Sequence, residues 1–570
     1  MFGCEWFCCN QVPDLYLPEL HPEPFSLPSP IPDWPPGQEF ASGRINLGQI
    51  EVIQVTQFEV AWSCKILRGK TEGVTFYRPV GYPVGFYCLG YYCQPNDQPL
   101  RGYVLVARDS NTNMLEGDYI KEFKSDSPAL AKPLKYTMIW CTDLQYEGGG
   151  YFWQPNPPAG YKAMGIIVTN SPEEPDVEHV RCVRADLTER CETSDLITSV
   201  DSESSKQLFQ VWNTKPCRMG LYAKGVSIGT FYCSTDLSSE ELLLDTACLK
   251  NLQNKLPSMP NLDQIHALIK QYGPTVFLHP DEVYMPSSVE WFFKNGALLY
   301  QEGKQKGEPI DYRGLNLPSG GENDGEYWID FPTKDDARNF MKRGDLESGE
   351  LYVHVKPALG GTFTDIAMWL FCPFNGPATI KIGIMSIQMN KIGEHVGDWE
   401  HFTLRVSNFT GELWQVFFSQ HSGGQWVNAS ALEFIEGNRA VVYSSKHGHA
   451  SFPHAGTYLQ GSTKLGVGVR NDAARSKYYV DSSSKYQLIA AEYLGDGVVA
   501  EPCWLQYMRE WGPTIVYDGR AEIEKIIDHL PLFLRFSLEN IFDLLPTEIY
   551  GEEGPTGPKE KENWIGDEIC

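Results

Sequence analysis

The feature that most constrains the fold is an internal repeat in the first half of the chain. FYRPVGYPVGFYCLG occupies residues 76–90, and FWQPNPPAGYKAMG occupies residues 152–165. Both copies hold an aromatic pair, a proline two residues later, and two glycines five residues apart. A weaker third copy, VWNTKPCRMGLYAKG, covers residues 211–225 with the same glycine spacing. Strand-like segments flank the first two copies, which is typical of strand–turn–strand units repeated along a chain.

Three such units predict a β-prism-like domain with approximate threefold symmetry over residues 43–235. Residues 1–42 are rich in cysteine and proline and are expected to form an extended N-terminal arm. Residues 236–273 favour a helical connector. Strands and long loops return over residues 274–550, which we expect to form a C-terminal β-sandwich-like domain, and residues 551–570 are expected to form a polar tail. The predicted fold class is therefore mainly β, with connecting and terminal helices.

The charge of the chain excludes one class of ligand. There are 47 basic and 73 acidic residues, a net charge of −26. Nucleic-acid binding needs clustered lysine and arginine, so no nucleic-acid partner is expected. No run of 18 apolar residues occurs, so no membrane-spanning helix is expected either. The hydrophobic content of 42% is enough for a sizeable core.

The cysteines and the start of the chain bear on location. Fifteen cysteines are scattered over the chain, and Met1–Asn10 lacks the basic start and apolar stretch of a signal peptide. We therefore expect free thiols in a reducing cytoplasm. Cys4, Cys8 and Cys9 lie among aromatic residues and are candidates for S-acylation, which would place the protein peripherally on an endomembrane or the plasma membrane. The alternative is an apolar tail that docks on the body.

A second concentration of unusual residues lies late in the chain. Six of the 12 histidines fall between residues 395 and 454, in the motifs GEHVGDWEH, QHSGGQW and SSKHGHASFPHAG. On a strand, Asp398 and Glu400 would share one face, and two adjacent carboxylates favour a cation or a proton between them. His395 has the opposite parity, but Gly397 would let the backbone bend and turn it inward.

This pattern predicts a divalent-cation site next to a ligand pocket. Mixed histidine and carboxylate donors suit calcium, magnesium or manganese. The predicted metal ligands are His395, Asp398, Glu400 and His449. The predicted pocket residues are Trp399, His401, His421 and His447. The structural alternatives are salt bridges from the two carboxylates to Arg405 or Arg470, and simple packing of His401 beside Trp399.

The motifs TVFLHPDEVYMPSSVEWF (275–292), GEHVGDWEHFTL (393–404) and SSKHGHASFPHAG (444–456) resemble the vacuolar protein sorting-associated protein 62 family. The MFGC start and the GPTGPKEKENWIGDE tail resemble the plant branch of that family, a domain of unknown function. The resemblance implies a link to vacuolar sorting.

The stretch from His395 to Glu400 also resembles the heptapeptide of necrosis- and ethylene-inducing-peptide-like proteins. That second resemblance implies a β-sandwich in which the matching His395, Asp398 and Glu400 hold a divalent cation near a sphingolipid head group. Val396-Gly397 stands where that family has Arg-His. For its upstream aspartate, Asp365 and Asn390 are the candidates.

No GxSxG, Walker, dinucleotide or HExxH motif occurs, so an enzyme is the less favoured class. The leading interpretation is a cytosolic or peripheral-membrane binding protein of vacuolar or endosomal sorting. Its cation site would organise a pocket for a lipid head group or glycan, and sorting-machinery proteins would be its partners. The alternatives are a metal-dependent hydrolase that uses the same cluster and a structural scaffold without a ligand.

Overall fold

The computed structural model describes residues 22–64, 73–110, 127–142, 149–201, 208–235, 247–421, 423–462, 466–516, 551–552 and 554–570. Strands dominate these residues, so the prediction of a mainly β chain is confirmed. Within the described residues, no helix combines the length and the apolar character that crossing a bilayer requires. Cys4, Cys8 and Cys9 lie outside them.

The N-terminal half contains three units of five strands each. The first unit is preceded by β1 (Ile45–Asn46) and β2 (Ile50–Val55) and contains β3 (Phe58–Cys64), β4 (Val74–Pro79), β5 (Tyr87–Cys88), β6 (Tyr92–Pro95) and β7 (Val104–Asp109). The second is preceded by β8 (Leu130–Ala131) and contains β9 (Lys135–Cys141), β10 (Tyr151–Asn156), β11 (Tyr161–Lys162), β12 (Ile167–Thr169) and β13 (Cys182–Arg184). The third contains β14 (Thr188–Asp201), β15 (Leu208–Pro216), β16 (Gly225–Val226), β17 (Phe231–Ser234) and β18 (Ala247–Lys250).

The three units pair their strands in the same way. The orders β3-β4-β6, β9-β10-β12 and β14-β15-β17 are each an antiparallel hairpin extended by a later strand. Each hairpin also carries a register shift, which gives each sheet a similar local bend. Aromatic rings from the units meet where the sheets face one another: the Phe76 and Phe152 centroids are 4.9 Å apart, and Phe76 lies 5.1 Å from Phe231. The structure thus contains the predicted threefold β-prism-like arrangement.

The third unit differs from the other two at the point where the units meet. Gly90 and Gly165 lie at a close approach of the first and second units, because a Cβ on Gly90 would lie 2.8 Å from the Cα of Gly165. The third residue at this point is Thr230 rather than Gly225. Its side chain fills the space that the two glycines leave, and its hydroxyl donates to the carbonyl of Met164 at 2.7 Å. The third unit is longer between its turn and this contact, so equal glycine spacing does not mark equivalent positions.

The predicted connector 236–273 is only partly helical. Residues 236–246 lie outside the described ranges, and Ala247–Lys250 is the strand β18, which pairs with β14. Helix α1 spans Leu262–Tyr272 and begins at a capping box in which Asn261 and Gln264 satisfy each other's backbone N–H groups. Because residues 247–250 form an extended strand that pairs with β14, they cannot belong to the predicted helix.

The C-terminal half is built on a six-stranded sheet of order β29-β28-β27-β24-β23-β36. Its strands are β23 (Leu351–Ala358), β24 (Phe363–Asn375), β27 (His395–Ser407), β28 (Leu413–Gln420), β29 (Gly423–Asn428) and β36 (Tyr486–Ala490). A second sheet packs on one face and contains β19 (Thr275–Phe277), β30 (Phe434–Ile435), β31 (Arg439–Ser444), β32 (Ser451–Phe452) and β35 (Tyr479–Asp481). Apolar side chains of both sheets and of α1 form one core, as expected of a sandwich.

Shorter elements cover the other face. Two small sheets contain β20 (Leu298–Gln301), β21 (Glu308–Pro309) and β22 (Tyr327–Asp330), and β25 (Thr379–Ile382), β26 (Met385–Gln388), β33 (Gly456–Ser462) and β34 (Val467–Ala473). The helices are α2 (Val289–Lys294) and α3 (Asp335–Lys342), and β37 (Ile515–Val516) pairs with β38 (Gly551–Glu552). An aromatic core that includes Trp369, Trp399 and Trp511 lies beneath them.

The polar tail is not a tail. Trp564 is 3% exposed and stacks on His354 with centroids 3.9 Å apart. Buried Lys356 donates to the carbonyls of Asn563 and Gly566. The segment 554–570 therefore packs against the six-stranded sheet, because its polar groups find buried partners of opposite charge or complementary hydrogen-bonding character.

Candidate functional site

Six of the eight predicted site residues border one cavity of about 490 Å³ at the end of the six-stranded sheet. Residues from β24, β27, β28 and β34 line it, together with the C-terminal segment. The lining includes Trp369, His395, Asp398, Trp399, Glu400, His401, Ser419, His421, Lys446, Arg470, Lys561, Asn563 and Glu568. Of the eight predicted site residues, His447 and His449 are the two outside this lining.

Gly397 shapes the strand that carries most of these side chains. Its φ is +72°, a left-handed conformation that suits glycine, and a Cβ there would lie 2.3 Å from the carbonyl oxygen of Trp511. The bend expected at Gly397 therefore exists, and His395 on its far side borders the cavity. Asp398, Glu400 and His401 follow the bend and border the cavity, and from Phe402 onward β27 continues as an ordinary buried strand.

Asp398 is held from behind by His449. The Asp398 Oδ2 atom lies 2.7 Å from His449 Nδ1, and His449 Nε2 lies 2.9 Å from the carbonyl oxygen of Tyr284. Burial alone would raise the pKa of Asp398, but the hydrogen bond and charge of His449 outweigh it, so the pKa lies below its usual value. Burial alone would lower the pKa of His449, but nearby Cys372 and the hydrogen bond to Asp398 raise it well above its usual value. The two side chains form a buried ion pair.

Glu400 is the second carboxylate of the cavity. Its Oε2 atom accepts a hydrogen bond of 2.6 Å from the hydroxyl of Ser419. Burial, and then the charge of nearby Asp398, raise the pKa of Glu400 to about 8. The two carboxylates of the sequence motif thus lie in one electrostatic environment, in which a proton or a cation relieves their repulsion.

Trp399 and His401 belong to the wall of the cavity. Trp399 is 5% exposed and packs in the aromatic core, with its ring 4.9 Å from that of Phe371. The His401 ring stacks on Trp369 at 4.3 Å, and its Nε2 atom lies 2.8 Å from a carboxylate oxygen of Glu568. His401 therefore joins the sheet to the C-terminal segment.

Three histidines of the predicted site have a strained, left-handed backbone conformation. His421, His447 and His449 have φ values of +57°, +69° and +52°, half of the six positive-φ non-glycine residues in the described ranges. Residues of this kind cluster at functional sites more often than elsewhere. His421 borders the cavity and lies 3.2 Å from Asn471 Oδ1, whereas the backbone N–H of His447 donates to Glu282.

The structural alternative was that Asp398 and Glu400 form salt bridges with Arg405 or Arg470, but both arginines pair with other carboxylates. Arg405 pairs with Asp365 and Asp567 at 2.8 Å each, and Arg470 pairs with Asp472 at 2.9 Å. Asp365, one of the two candidates for the upstream aspartate, is thus committed to an arginine away from the cavity.

Several site residues were not predicted from the sequence. Trp369 and Cys372 lie within the apolar stretch FTDIAMWLFCPFN, where nothing distinguishes them from core residues. Ser419 is a common strand residue. The segment that was interpreted as a tail contributes Lys561, Asn563 and Glu568. A tryptophan in the middle of ENWIGDE was a usable sequence signal against an exposed tail, because tryptophan is highly buried on average.

The fold and the site define a mainly β protein with a polar, carboxylate-bearing cavity at one end of its larger sheet. The chain belongs to the family described as vacuolar protein sorting-associated protein 62, which it matches over residues 21–568. A relative with that name from Saccharomyces cerevisiae is 22% identical over 354 residues, which is 52% of this chain and 73% of the relative.

Some solved structures overlap with parts of the chain. GNIP1Aa from Chromobacterium piscinae has a TM-score of 0.28 and 13% identity, over 39% of this chain and 40% of that one. NLPPya in complex with glucosamine has a TM-score of 0.22 and 12% identity, over 41% of this chain and 75% of that one. Overlaps this small transfer no ligand or activity to this chain.

Proposed function

We propose that this chain acts in association with vacuolar protein sorting and that its cavity binds a polyhydroxylated group, either a free glycan or a lipid head group. The family supports the first part, through the name of the family and of the yeast relative. The chemistry of the cavity supports the second part.

The observation that carries the proposal is a set of buried ring nitrogens. His395 Nδ1, Trp369 Nε1 and Trp399 Nε1 have no hydrogen-bond partner within the described part of the chain, and all three side chains border the cavity. Buried polar atoms are nearly always satisfied, so three exceptions around one cavity indicate a polar ligand or ordered water. These nitrogens have almost no accessible surface, so small side-chain movements would have to precede donation by the indole N–H groups of Trp369 and Trp399 to hydroxyl oxygens of a ligand.

Other parts of the lining complement such a ligand. The carboxyl groups of Asp398 and Glu400 accept hydrogen bonds from hydroxyl groups. Aromatic rings beside them suit the apolar face of a sugar, and Lys446 and Lys561 add positive charge that suits a phosphate or sulfate substituent. A few placed polar groups in a partly aromatic cavity are typical of small-molecule sites.

A divalent cation is part of this proposal, and its binding would draw together the donors of His395, Asp398 and Glu400, which do not form a close group as Cys372, Asp398 and His449 do. His395, Asp398 and Glu400 border the same cavity and offer one nitrogen and carboxylate oxygens, which suit calcium, magnesium or manganese. Such an ion would offset the repulsion between the carboxylates and join them to ligand oxygens. In this arrangement His449 acts through Asp398, which it orients by the hydrogen bond of 2.7 Å.

The test uses the fluorescence of the cavity tryptophans. The full-length protein is titrated with monosaccharides and inositol, and separately with vesicles that contain a glycosylated sphingolipid, each with calcium or with EDTA. We expect saturable quenching that Glu400→Gln weakens at least tenfold and that Glu302→Gln, at an exposed position, leaves unchanged. Response to vesicles alone would assign the lipid source. Equal binding by Glu400→Gln, or no response to any probe, would favour a scaffold without a ligand.

The association with sorting is tested separately. Cells that lack the chain are expected to secrete a soluble vacuolar hydrolase, and wild-type chain is expected to restore its retention.

Flotation of the protein with liposomes, with and without residues 1–10, tests the peripheral attachment predicted for Cys4, Cys8 and Cys9.

A further inference from the structure

A second donor cluster lies behind the cavity, buried in the sandwich. The Cys372 Sγ atom, a carboxylate oxygen of Asp398 and a ring nitrogen of His449 all lie within 4.8 Å of one another. The three residues are 0%, 6% and 1% exposed. Cys372 and His449 do not border the cavity, whereas Asp398 does. The cluster therefore shares one residue with the site described above and has its own chemistry.

The fold brings these donors together from three places. Cys372 in β24 lies directly opposite Asp398 in β27, so their side chains leave the sheet as neighbours on the same face. His449 enters from the loop after β31 on left-handed backbone, with φ of +52°. Holding a non-glycine residue in that conformation costs free energy, and such strain is typical of positions that place a side chain for function.

The hydrogen bonds of His449 leave one nitrogen directed at the cluster. Nε2 lies 2.9 Å from the carbonyl oxygen of Tyr284 and 3.8 Å from the carboxylate of Glu282, so it carries a proton. Nδ1 faces Asp398. Histidines that bind metals usually donate their other N–H to a backbone carbonyl or carboxylate, which fixes the tautomer and the ring orientation. His449 already has this arrangement, since Nε2 donates to the carbonyl of Tyr284 and Nδ1 faces the cluster.

We propose that Cys372, Asp398 and His449 form a zinc site. Because the three donor atoms lie no more than 4.8 Å apart, one point lies within about 2.8 Å of all three. Zinc–ligand bonds are 2.0–2.3 Å long, so each donor atom would move by less than about 1 Å to bind an ion at that point. A thiolate with an imidazole and a carboxylate selects zinc over calcium or magnesium, which prefer oxygen donors alone. Zinc normally takes a fourth ligand, and the cavity beside Asp398 supplies the route for a water or ligand atom to that position.

The charges and protons balance for such binding. The ion displaces the thiol proton of Cys372 and the Nδ1 proton of His449, and both are released to solvent. Zn²⁺, one thiolate and one carboxylate then give a neutral buried centre. Without metal, the cation of His449 and the anion of Asp398 cancel, so the cluster has no net charge. The alternative is therefore a purely structural ion pair beside an inert thiol.

The experiment measures metal in the purified full-length protein. After dialysis against EDTA and reloading, we expect about one zinc per chain by elemental analysis. Cobalt(II) in its place should show the near-ultraviolet charge-transfer band of a thiolate–cobalt bond. Cys372→Ser should weaken zinc binding at least tenfold and remove the band. Cys182→Ser, at an equally buried cysteine in the prism, should leave both unchanged.

Each other outcome overturns the inference. Absence of zinc, or a cobalt spectrum without the thiolate band, would assign the cluster as an ion pair. Both measurements use wild-type protein, so the inference can be tested even if Cys372→Ser does not fold. Metal retained by Cys372→Ser but lost in Glu400→Gln would place the ion in the cavity, so the proposed cation site would stand and the zinc site would fall. The ligand titrations above are read independently of either result.

Discussion

The buried carboxylate of Glu568 offers the most quantitative test of how the C-terminal segment is held. Burial opposes its charge, but the charge and hydrogen bond of His401, with further contributions from Lys356 and Thr403, lower the pKa of Glu568 from its usual 4.5 to about 2. Each unit of pKa difference corresponds to about 1.4 kcal/mol, so the charged form stabilises the folded chain by about 3 kcal/mol at neutral pH. Glu568→Gln keeps the shape and removes this contribution.

The direction of the pH dependence follows from the lowered pKa. The contribution is fully present above the unfolded value near 4.5 and is lost as the pH falls towards 2, because the unfolded chain binds the proton first. We therefore expect the difference between wild type and Glu568→Gln to be constant from pH 7 to about pH 5.5 and to shrink in acid.

Urea unfolding followed by tryptophan fluorescence measures this difference at a series of pH values. Glu302→Gln, at an exposed position, is the matched control and should change stability by less than about 0.5 kcal/mol. If Glu568→Gln matched wild type at pH 7, or if its deficit did not shrink below pH 4.5, the assignment of buried ionic contacts to this segment would be wrong.

Three further substitutions test the backbone and the buried charges by thermal and urea unfolding. Gly397→Ala should cost at least about 3 kcal/mol through strain and a clash, whereas Gly303→Ala, with φ of +77° and open space, should cost about 1 kcal/mol; equal costs would contradict the close contact. Gly165→Ala should destabilise the prism by about 2 kcal/mol, and Thr230→Gly in the same chain should recover part of the loss if the two side chains compete for one space. Arg405→Met should cost about 3–5 kcal/mol because it leaves a buried carboxylate unpaired, and a neutral result would refute that pairing.

The repeat shows how far local sequence can predict a fold. Turn glycines keep their role, since Gly85, Gly160 and Gly220 all have positive φ. The contact between units is not visible in that pattern, because Thr230 lies ten residues after its turn glycine whereas Gly165 lies five after its own. Conformational demands of a turn act within a few residues, but the fit between units depends on distant chain segments.

The same limit explains the C-terminal segment. Its composition is polar, and a polar composition predicts an exposed tail. Lys356 donates to the carbonyl of Gly566 and Arg405 donates to the carboxylate of Asp567, across 210 and 162 residues of sequence, and both donors lie inside buried strands. A buried charge in a sequence gives no sign of which distant group will neutralise it, so this packing could not be predicted.

The strand β27 explains why the core and the site can share one segment. β24 pairs along nearly its whole length, from Asn375–His395 to Phe363–Ser407, but β28 pairs only with residues 402–406. The first half therefore has a neighbour on one side alone, and the cavity occupies the space beside it. Val396 and Trp399 still pack in the aromatic core, but the other side chains of this half border the cavity, so carboxylates and histidines are tolerated there. Substitutions at His395 and Glu400 should consequently affect ligands and metal more than stability. Val396 and Trp399 pack in the aromatic core, and His401 holds the buried carboxylate of Glu568, so substitutions there should also lower stability.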